Sequence, residues 1–222
     1  MSCAAIIVAA GRSQRMGFDK MLSSLGGRPV LQWSLDAFLE AEEVETVVVV
    51  TSSERFAQLD QGSGTTVLRA EGDEERYLSV IRGLEALPPA TKYVAVHDGA
   101  RPLVLPSQID DVVRTARDRG AAALARRMTE TLKRSDDQHL VSGSLSRENL
   151  WIMETPQAFR FDILHEAYEL VKKEGIPVTD EASAAEIAGV YTSLVENQRP
   201  NPKVTVPGDL PLAEAILHSL NS

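Results

Sequence analysis

The sequence predicts an α/β fold, a mostly parallel sheet with helices on both faces, and three observations carry that prediction. Short β-branched runs recur at residues 4–8, 47–51, 66–68 and 93–97. Between them lie stretches with the apolar period of a helix that buries one stripe, and strands alternating with such helices belong to parallel sheets covered by helices. The length of 222 residues, with 43% hydrophobic and 25% charged residues, suits one α/β domain of generous size.

Helices are expected at residues 30–41, 76–87, 106–119, 160–173, 181–188 and 209–219. Pro106 and Pro207 sit where helices commonly begin, because proline has the right φ for a first turn and its missing N–H is no loss there. Residues 127–150 break the rhythm. Two short alternating runs, 130–134 and 140–145, flank the polar residues 135–138 and read as a hairpin arm. An arm polar on both faces has no core of its own, so packing against a second subunit is a natural use, and a solvated excursion is the plainer alternative. With no internal repeat and no long linker, the chain is expected to be a single domain over 1–222 with the β-arm at 127–150 within it.

The 23 basic and 32 acidic residues give a net charge of -9, which disfavours nucleic acid or an anionic membrane as partner. Any anionic ligand must be held by a local cluster of cations. The single cysteine, Cys3, has no partner for an intrachain disulfide and sits in an apolar run, so it is expected to be a small buried side chain. That run, residues 3–10, lacks a basic leader and is too short for a bilayer; it is expected to be a core strand of a cytoplasmic protein.

Two strand-end loops carry the chemistry. Ala9-Ala10-Gly11-Arg12-Ser13-Gln14-Arg15-Met16-Gly17 follows the first strand, where open α/β sheets bind ligands. Small residues let backbone N–H groups approach a ligand, and Arg12, Arg15 and Lys20 bring positive charge. The loop is neither Walker A nor the dinucleotide Gly-x-Gly-x-x-Gly, and alone it supports phosphate binding little better than an ordinary strand-to-helix turn. His97-Asp98-Gly99-Ala100-Arg101-Pro102 ends the fourth run and faces the same crevice. Asp98 could hold ribose hydroxyls or Mg2+, or merely satisfy turn amides. His97 is expected to be structural, and His139, His165 and His218 to lie on the surface.

Taken with Thr131-Leu132-Lys133-Arg134, Thr155-Pro156-Gln157, Thr179-Asp180-Glu181-Ala182-Ser183 and Asn201-Pro202-Lys203-Val204-Thr205, these loops resemble the 2-C-methyl-D-erythritol 4-phosphate cytidylyltransferase family, in order, from about residue 4 to residue 220. The first motif is shared by many nucleotidyltransferases; the ordered set is specific. The resemblance implies a Rossmann-like sheet with a protruding β-hairpin dimerisation arm, and transfer of a cytidylyl group from CTP to methylerythritol phosphate with release of pyrophosphate. It implies catalytic roles for Arg15 and Lys20 on the triphosphate and for Arg147 and Lys203 on the acceptor phosphate. Nucleotide contacts would come from Ala9, Ala10, Gly11, Gly72, Asp73, Glu74, Ser79 and Asp98. Arg101, Thr131, Thr155, Thr179 and Asp180 would serve the acceptor, with Thr131 and Arg147 carried by the arm towards the neighbouring subunit of a homodimer. Mg2+ or another divalent cation would be held mainly by the CTP phosphates, with no certain protein ligand.

Four features depart from the family pattern. The stretch between Arg15 and Lys20 is two residues shorter than in many members, without the usual proline before the lysine. Asp73 replaces a usual second glycine, Arg127 a common proline, and Asn197 a common glycine whose left-handed turn an asparagine could supply. A phosphate monoester has a second pKa of about 6, so the nucleophile needs no general base, in keeping with the absence of a Ser-His or paired-carboxylate motif. Two other readings stay open: a ribitol 5-phosphate cytidylyltransferase, and a non-catalytic nucleotide-binding module, against which the four cations at both phosphates argue. No Asp-x-Asp triplet supports a glycosyltransferase.

Overall fold

The structure is a computed structural model that describes residues 2–11 and 17–220. In chain order it runs β1 (Cys3–Val8), a small hairpin of β2 (Ser24–Leu25) and β3 (Arg28–Pro29), α1 (Val30–Glu40), β4 (Thr46–Val50), α2 (Ser53–Phe56), β5 (Thr66–Ala70), α3 (Arg76–Glu85) and β6 (Tyr93–Asp98). Then follow α4 (Pro106–Arg119), β7 (Ala121–Arg127), the pair β8 (Leu132–Ser135) and β9 (Val141–Leu145), β10 (Trp151–Arg160), α5 (Phe161–Glu174), α6 (Glu181–Ile187), β11 (Ser193–Glu196) and α7 (Asp209–Leu220).

Seven strands form one sheet in the order β11-β7-β10-β6-β1-β4-β5. All neighbours pair in parallel except β10, which runs antiparallel to both β6 and β7. The alternation of β1 divides the core. Ala5, Ile7 and Ala9 meet α1 and α4 on one face, through Leu31, Leu35, Ile109 and Val113. Ala4, Ile6 and Val8 meet α3, α5 and α6 on the other, through Val80, Leu84, Leu164 and Ala184. Such two-sided burial is why the run 4–8 is continuously apolar. Helix α3 lies so close to the sheet that a Cβ at Gly83 would stand 2.5 Å from the Ile6 side chain.

Local chemistry explains the clearest helix ends. Pro106 opens α4, the Gln108 side chain accepts the Leu105 N–H at 2.9 Å, and Gly120, at φ 89°, closes the helix. Three sheet strands escape the sequence pattern. β7 is rich in alanine, β10 carries Pro156 inside it, and β11 has four residues at the sheet edge. The hairpin arm is present as β8 and β9 but lies outside the main sheet, with Leu140 60% and Val141 68% exposed. Cys3 is fully buried, which pushes its thiol pKa up to about 12.

Candidate active site

The adjacent parallel strands β1 and β6 send the chain in opposite directions, β1 by way of α1 to β4 and β6 by way of α4 to β7. A crevice opens at the carboxyl ends of such a pair, and there ligands of open α/β sheets bind. Strand β10 contributes a third wall. Its pairing with β7 shifts between Met153 and Gln157, and within that irregularity Thr155 meets the end of β6 while Glu154 meets Asn197 and Arg126. Beside the ends of β6 and β10 lies a cavity of about 230 Å³ lined by residues that include Arg76, Asp98, Arg101, Glu154, Thr179 and Lys203.

Asp98 is the electrostatic centre of the crevice. Arg76 Nε donates to Asp98 Oδ1 at 2.8 Å, Lys203 Nζ donates to Oδ2 at 2.6 Å, and Arg101 Nε lies 3.9 Å away. Burial alone would raise the Asp98 pKa, but Arg76 and Lys203 overcome it and hold the carboxyl well below the usual range. Of the readings open for Asp98, the plainer one, a side chain that merely satisfies turn amides, gives way to this cluster of cations. Lys203, 36% exposed, is held in that cluster by its ion pair with Asp98.

Arg76 was not singled out in the sequence, nor was Glu181. The Arg76 fork donates Nη1 and Nη2 to the two oxygens of Glu181 at 2.7 and 3.0 Å, and Tyr168 Oη donates to Oε1 at 2.9 Å. Burial works against the Arg76 charge, yet Glu181 and Asp98 more than offset it and raise its pKa. The bidentate geometry lets one guanidinium join α6 to the end of β6.

His97 and Thr155 form the floor. His97 Nε2 lies 3.2 Å from the Arg101 carbonyl, which can only accept, so Nε2 bears the proton and Nδ1 accepts from the Thr155 hydroxyl at 3.0 Å. Thr155 Oγ1 in turn accepts the Asp98 N–H at 3.0 Å. Burial pushes the His97 pKa down to about 4, which keeps the ring neutral and structural, as expected. Thr155 thus borders the cavity while its hydroxyl is engaged with β6. Asp180 is similarly occupied: Oδ1 caps α6 at the Ser183 N–H (2.9 Å), and Oδ2 accepts from Gln157 at 2.9 Å. Thr179 stands at the rim, 3.3 Å from the Ser183 hydroxyl.

On the opposite side, Gly72 packs on the loop that follows β1. A Cβ at Gly72 would lie 2.0 Å from the Ala10 Cβ, so only glycine allows this approach. Ser79 is buried and holds residues 72–74 from below: its Oγ accepts the Asp73 N–H at 2.9 Å. Asp73, where the family pattern has glycine, folds its carboxylate onto its own segment, accepting the Glu74 N–H at 2.8 Å and facing Arg82 at 3.6 Å.

The segment after β1 and the C-terminal segment meet. Lys20 Nζ donates to the Val204 carbonyl at 2.9 Å, Val204 N donates to Ala100 O at 2.8 Å, and Arg101 Nη1 donates to Asn201 O at 2.8 Å. Arg12 and Arg15 lie outside the described residues. Asn197 is not left-handed; among the described residues the non-glycine residues with positive φ are His139 and Asn149. Its buried amide instead donates to Glu154 Oε2 at 2.7 Å and accepts from Gln108 at 2.6 Å. Thr131 and Arg147 stand apart from the cavity: both are exposed on the arm, where the Arg147 guanidinium donates to the Thr129 carbonyl.

Among the described residues the crevice is walled by cations, and its hydroxyl beside a base, Thr155 on His97, is held by the Asp98 N–H; that suits transfer of a phosphate-bearing group, and on this fold the class is a nucleotidyltransferase. The model of the IspD family, 2-C-methyl-D-erythritol 4-phosphate cytidylyltransferase, matches residues 3–219. The chain is 43% identical to the bifunctional enzyme IspD/IspF of Desulforudis audaxviator over 96% of its length and 56% of that relative's. It thus spans about half of that two-function protein. It is 40% identical to the 2-C-methyl-D-erythritol 4-phosphate cytidylyltransferase of Pelotomaculum thermopropionicum, covering 96% of this chain and 93% of the relative. Among solved structures, the 4-diphosphocytidyl-2C-methyl-D-erythritol synthase of Anaerococcus prevotii superposes with a TM-score of 0.85 at 27% identity, covering 98% of this chain and 96% of that one. The chain belongs to the 2-C-methyl-D-erythritol 4-phosphate cytidylyltransferase family.

Proposed function

We propose that this protein transfers the cytidylyl group of CTP to 2-C-methyl-D-erythritol 4-phosphate and releases pyrophosphate, a step of isoprenoid precursor synthesis in the cytoplasm. The observation that supports this most is the hydrogen bond from Lys20 to the carbonyl of Val204, because across 184 residues it joins the triphosphate lysine to the chain neighbour of the acceptor lysine, Lys203. In this reading an acceptor phosphate oxygen attacks the α-phosphorus, and the bond to the bridging oxygen breaks as pyrophosphate leaves. The nucleophile is already an anion at neutral pH. What remains is to bring two polyanions together and stabilise the charge on the leaving oxygens, which is work for Arg15, Lys20 and Lys203.

The residues do not fit a metal held by protein alone. Among the described residues no group of three or more His, Cys, Asp or Glu could hold an ion, and Asp98 is already paired with Arg76 and Lys203. Mg2+, in this reading, is held by the triphosphate oxygens. Thr131 and Arg147 act on the neighbouring site of a homodimer joined through the arm; their exposure, and a cavity lined by other residues of their own chain, support that role. No described helix is long and apolar enough to cross a membrane.

The test is pyrophosphate release with a panel of nucleoside triphosphates, each offered methylerythritol phosphate and ribitol 5-phosphate, with and without Mg2+. CTP with methylerythritol phosphate is expected to dominate. Faster turnover of ribitol phosphate would reassign the acceptor, and CTP binding without turnover would leave a binding module. Lys20→Ala is expected to lower kcat by about 10²-fold or more, the scale for one preorganised electrostatic contact; turnover within a few-fold of the parent would remove Lys20 from the mechanism.

A further inference from the structure

Arg55 stands on the short helix α2, directly after β4, the strand beside β1. Its side chain is 13% exposed and reaches back to the nucleotide loop. There the guanidinium donates to three acceptors: Nη1 to the Ala9 carbonyl at 2.6 Å, Nη2 to the Gly11 carbonyl at 3.2 Å and Nε to Asp19 Oδ2 at 2.6 Å. Ala9 and Gly11 begin the loop, and Asp19 immediately precedes Lys20. The other Asp19 oxygen accepts the Met21 N–H at 3.0 Å, and the Asp19 carbonyl accepts from Ser23 Oγ at 2.9 Å, so Asp19 fixes the turn that bears Lys20. One side chain therefore ties the start of the loop to its end, across residues 12–16 that lie outside the described part.

The small residues Ala9, Ala10 and Gly11 add little stiffness of their own, and any order they lack before the ligand arrives must be imposed on binding. The rigid guanidinium fork supplies that order from outside the loop. It also sets direction: in a planar trans peptide, a carbonyl of Ala9 turned towards Arg55 turns the Ala10 N–H to the opposite side. A lysine at 55 would carry the charge but could not span three acceptors with one planar group.

We propose that Arg55 is a positioning residue for the nucleotide, holding both ends of the loop in the geometry that binds CTP and presents Lys20. The proposal rests on the reading of residues 9–20 as the CTP-holding segment. It is tested by comparing the parent, R55A, R55K and D19N in pyrophosphate release, varying CTP and acceptor in turn. R55A is expected to raise KM for CTP by tenfold or more and to lower kcat by a similar factor, while KM for the acceptor moves less than twofold. R55K and D19N should fall between R55A and the parent, and added ethylguanidinium should restore part of the R55A activity. A purely structural role would lower the melting temperature and the active fraction without a selective change in KM for CTP.

R55A kinetics within twofold of the parent would overturn the proposal, as would an equal rise in KM for both substrates. Should R55A not fold, R55K and D19N carry the same comparison. If the parent turns over no acceptor, cytidylyl transfer fails as the function, and calorimetric titration with CTP alone decides the clamp. A tenfold weaker affinity in R55A then supports it; equal affinity, or no CTP binding by the parent, overturns it.

Discussion

In the crevice, Asp98, Glu181 and Tyr168 are buried and share a chain of hydrogen bonds through Arg76, whereas along the arm the polar side chains face water, with Lys133 and Ser144 bonded across the hairpin. Each carboxylate that lines the crevice already has a cationic or hydroxyl partner within the chain. The arm carries two residues with proposed roles, Thr131 and Arg147, yet its apolar residues Leu140 and Val141 lie open. Preorganised charge and exposed apolar surface are thus segregated, one part of the molecule built to meet anions and the other with surface left to cover. Substitutions should therefore act through stability in the first region and through association in the second.

The largest effect is expected at Arg76. Arg76→Met leaves Asp98 and Glu181 buried without their shared cation, and breaking a buried pair in this way costs about 3–5 kcal/mol. Chemical denaturation should report that loss, and adding Glu181→Gln should recover part of it, because one stranded charge is removed. A change below about 1 kcal/mol would mean that the crevice is far more hydrated than its burial implies.

Acid should strain the same network. The folded chain holds His97 neutral down to about 4, whereas the unfolded chain takes up a proton near the ordinary value of 6.5. Between those values the unfolded state binds more protons, so stability rises with pH and is lost as pH falls from about 6.5 towards 4, by about 3 kcal/mol in all. Asp98, held below its ordinary range, adds a further loss at still lower pH. Denaturation midpoints followed from pH 7 to 4.5 should show the slope, and His97→Asn should flatten it. An unchanged slope in that variant would place the acid sensitivity elsewhere.

Legibility in the sequence follows the range of the interactions. β1 and β6 could be read because two-sided burial writes a continuous apolar run, and α4 because Pro106 and Gly120 punctuate it. β7 could not, since Ala121 to Ala123 and Ala125 suit a helix as well as a strand and only pairing with β10 decides. Asp98, Lys20 and Lys203 were visible through their motifs. Arg76 was not, because its partners lie 22 and 105 residues away and no local pattern marks a bridge of that kind. The same holds for Arg55, 36 to 46 residues from the groups it holds. Asn197 was misread because its amide holds Glu154 across the fold and accepts the Arg199 N–H of its own turn without a left-handed backbone.

The smallest change in stability, and the clearest test of the contrast, belongs to the arm. Replacing Leu140 and Val141 with Asp should alter the stability of the individual subunit by less than about 0.5 kcal/mol, since neither side chain is buried within it. The same pair should halve the mass seen by light scattering and reduce turnover if the arm joins two subunits. Mixing subunits makes the point sharper. In a dimer of Arg147→Ala with Lys203→Ala, an Arg147 that serves the partner's site leaves one site intact, while an Arg147 that serves its own leaves none. Random exchange of equal amounts should then restore about a quarter of the parent activity, since half the dimers are mixed and each has one working site. No recovery after exchange would keep Arg147 with its own chain and leave the arm a solvated excursion.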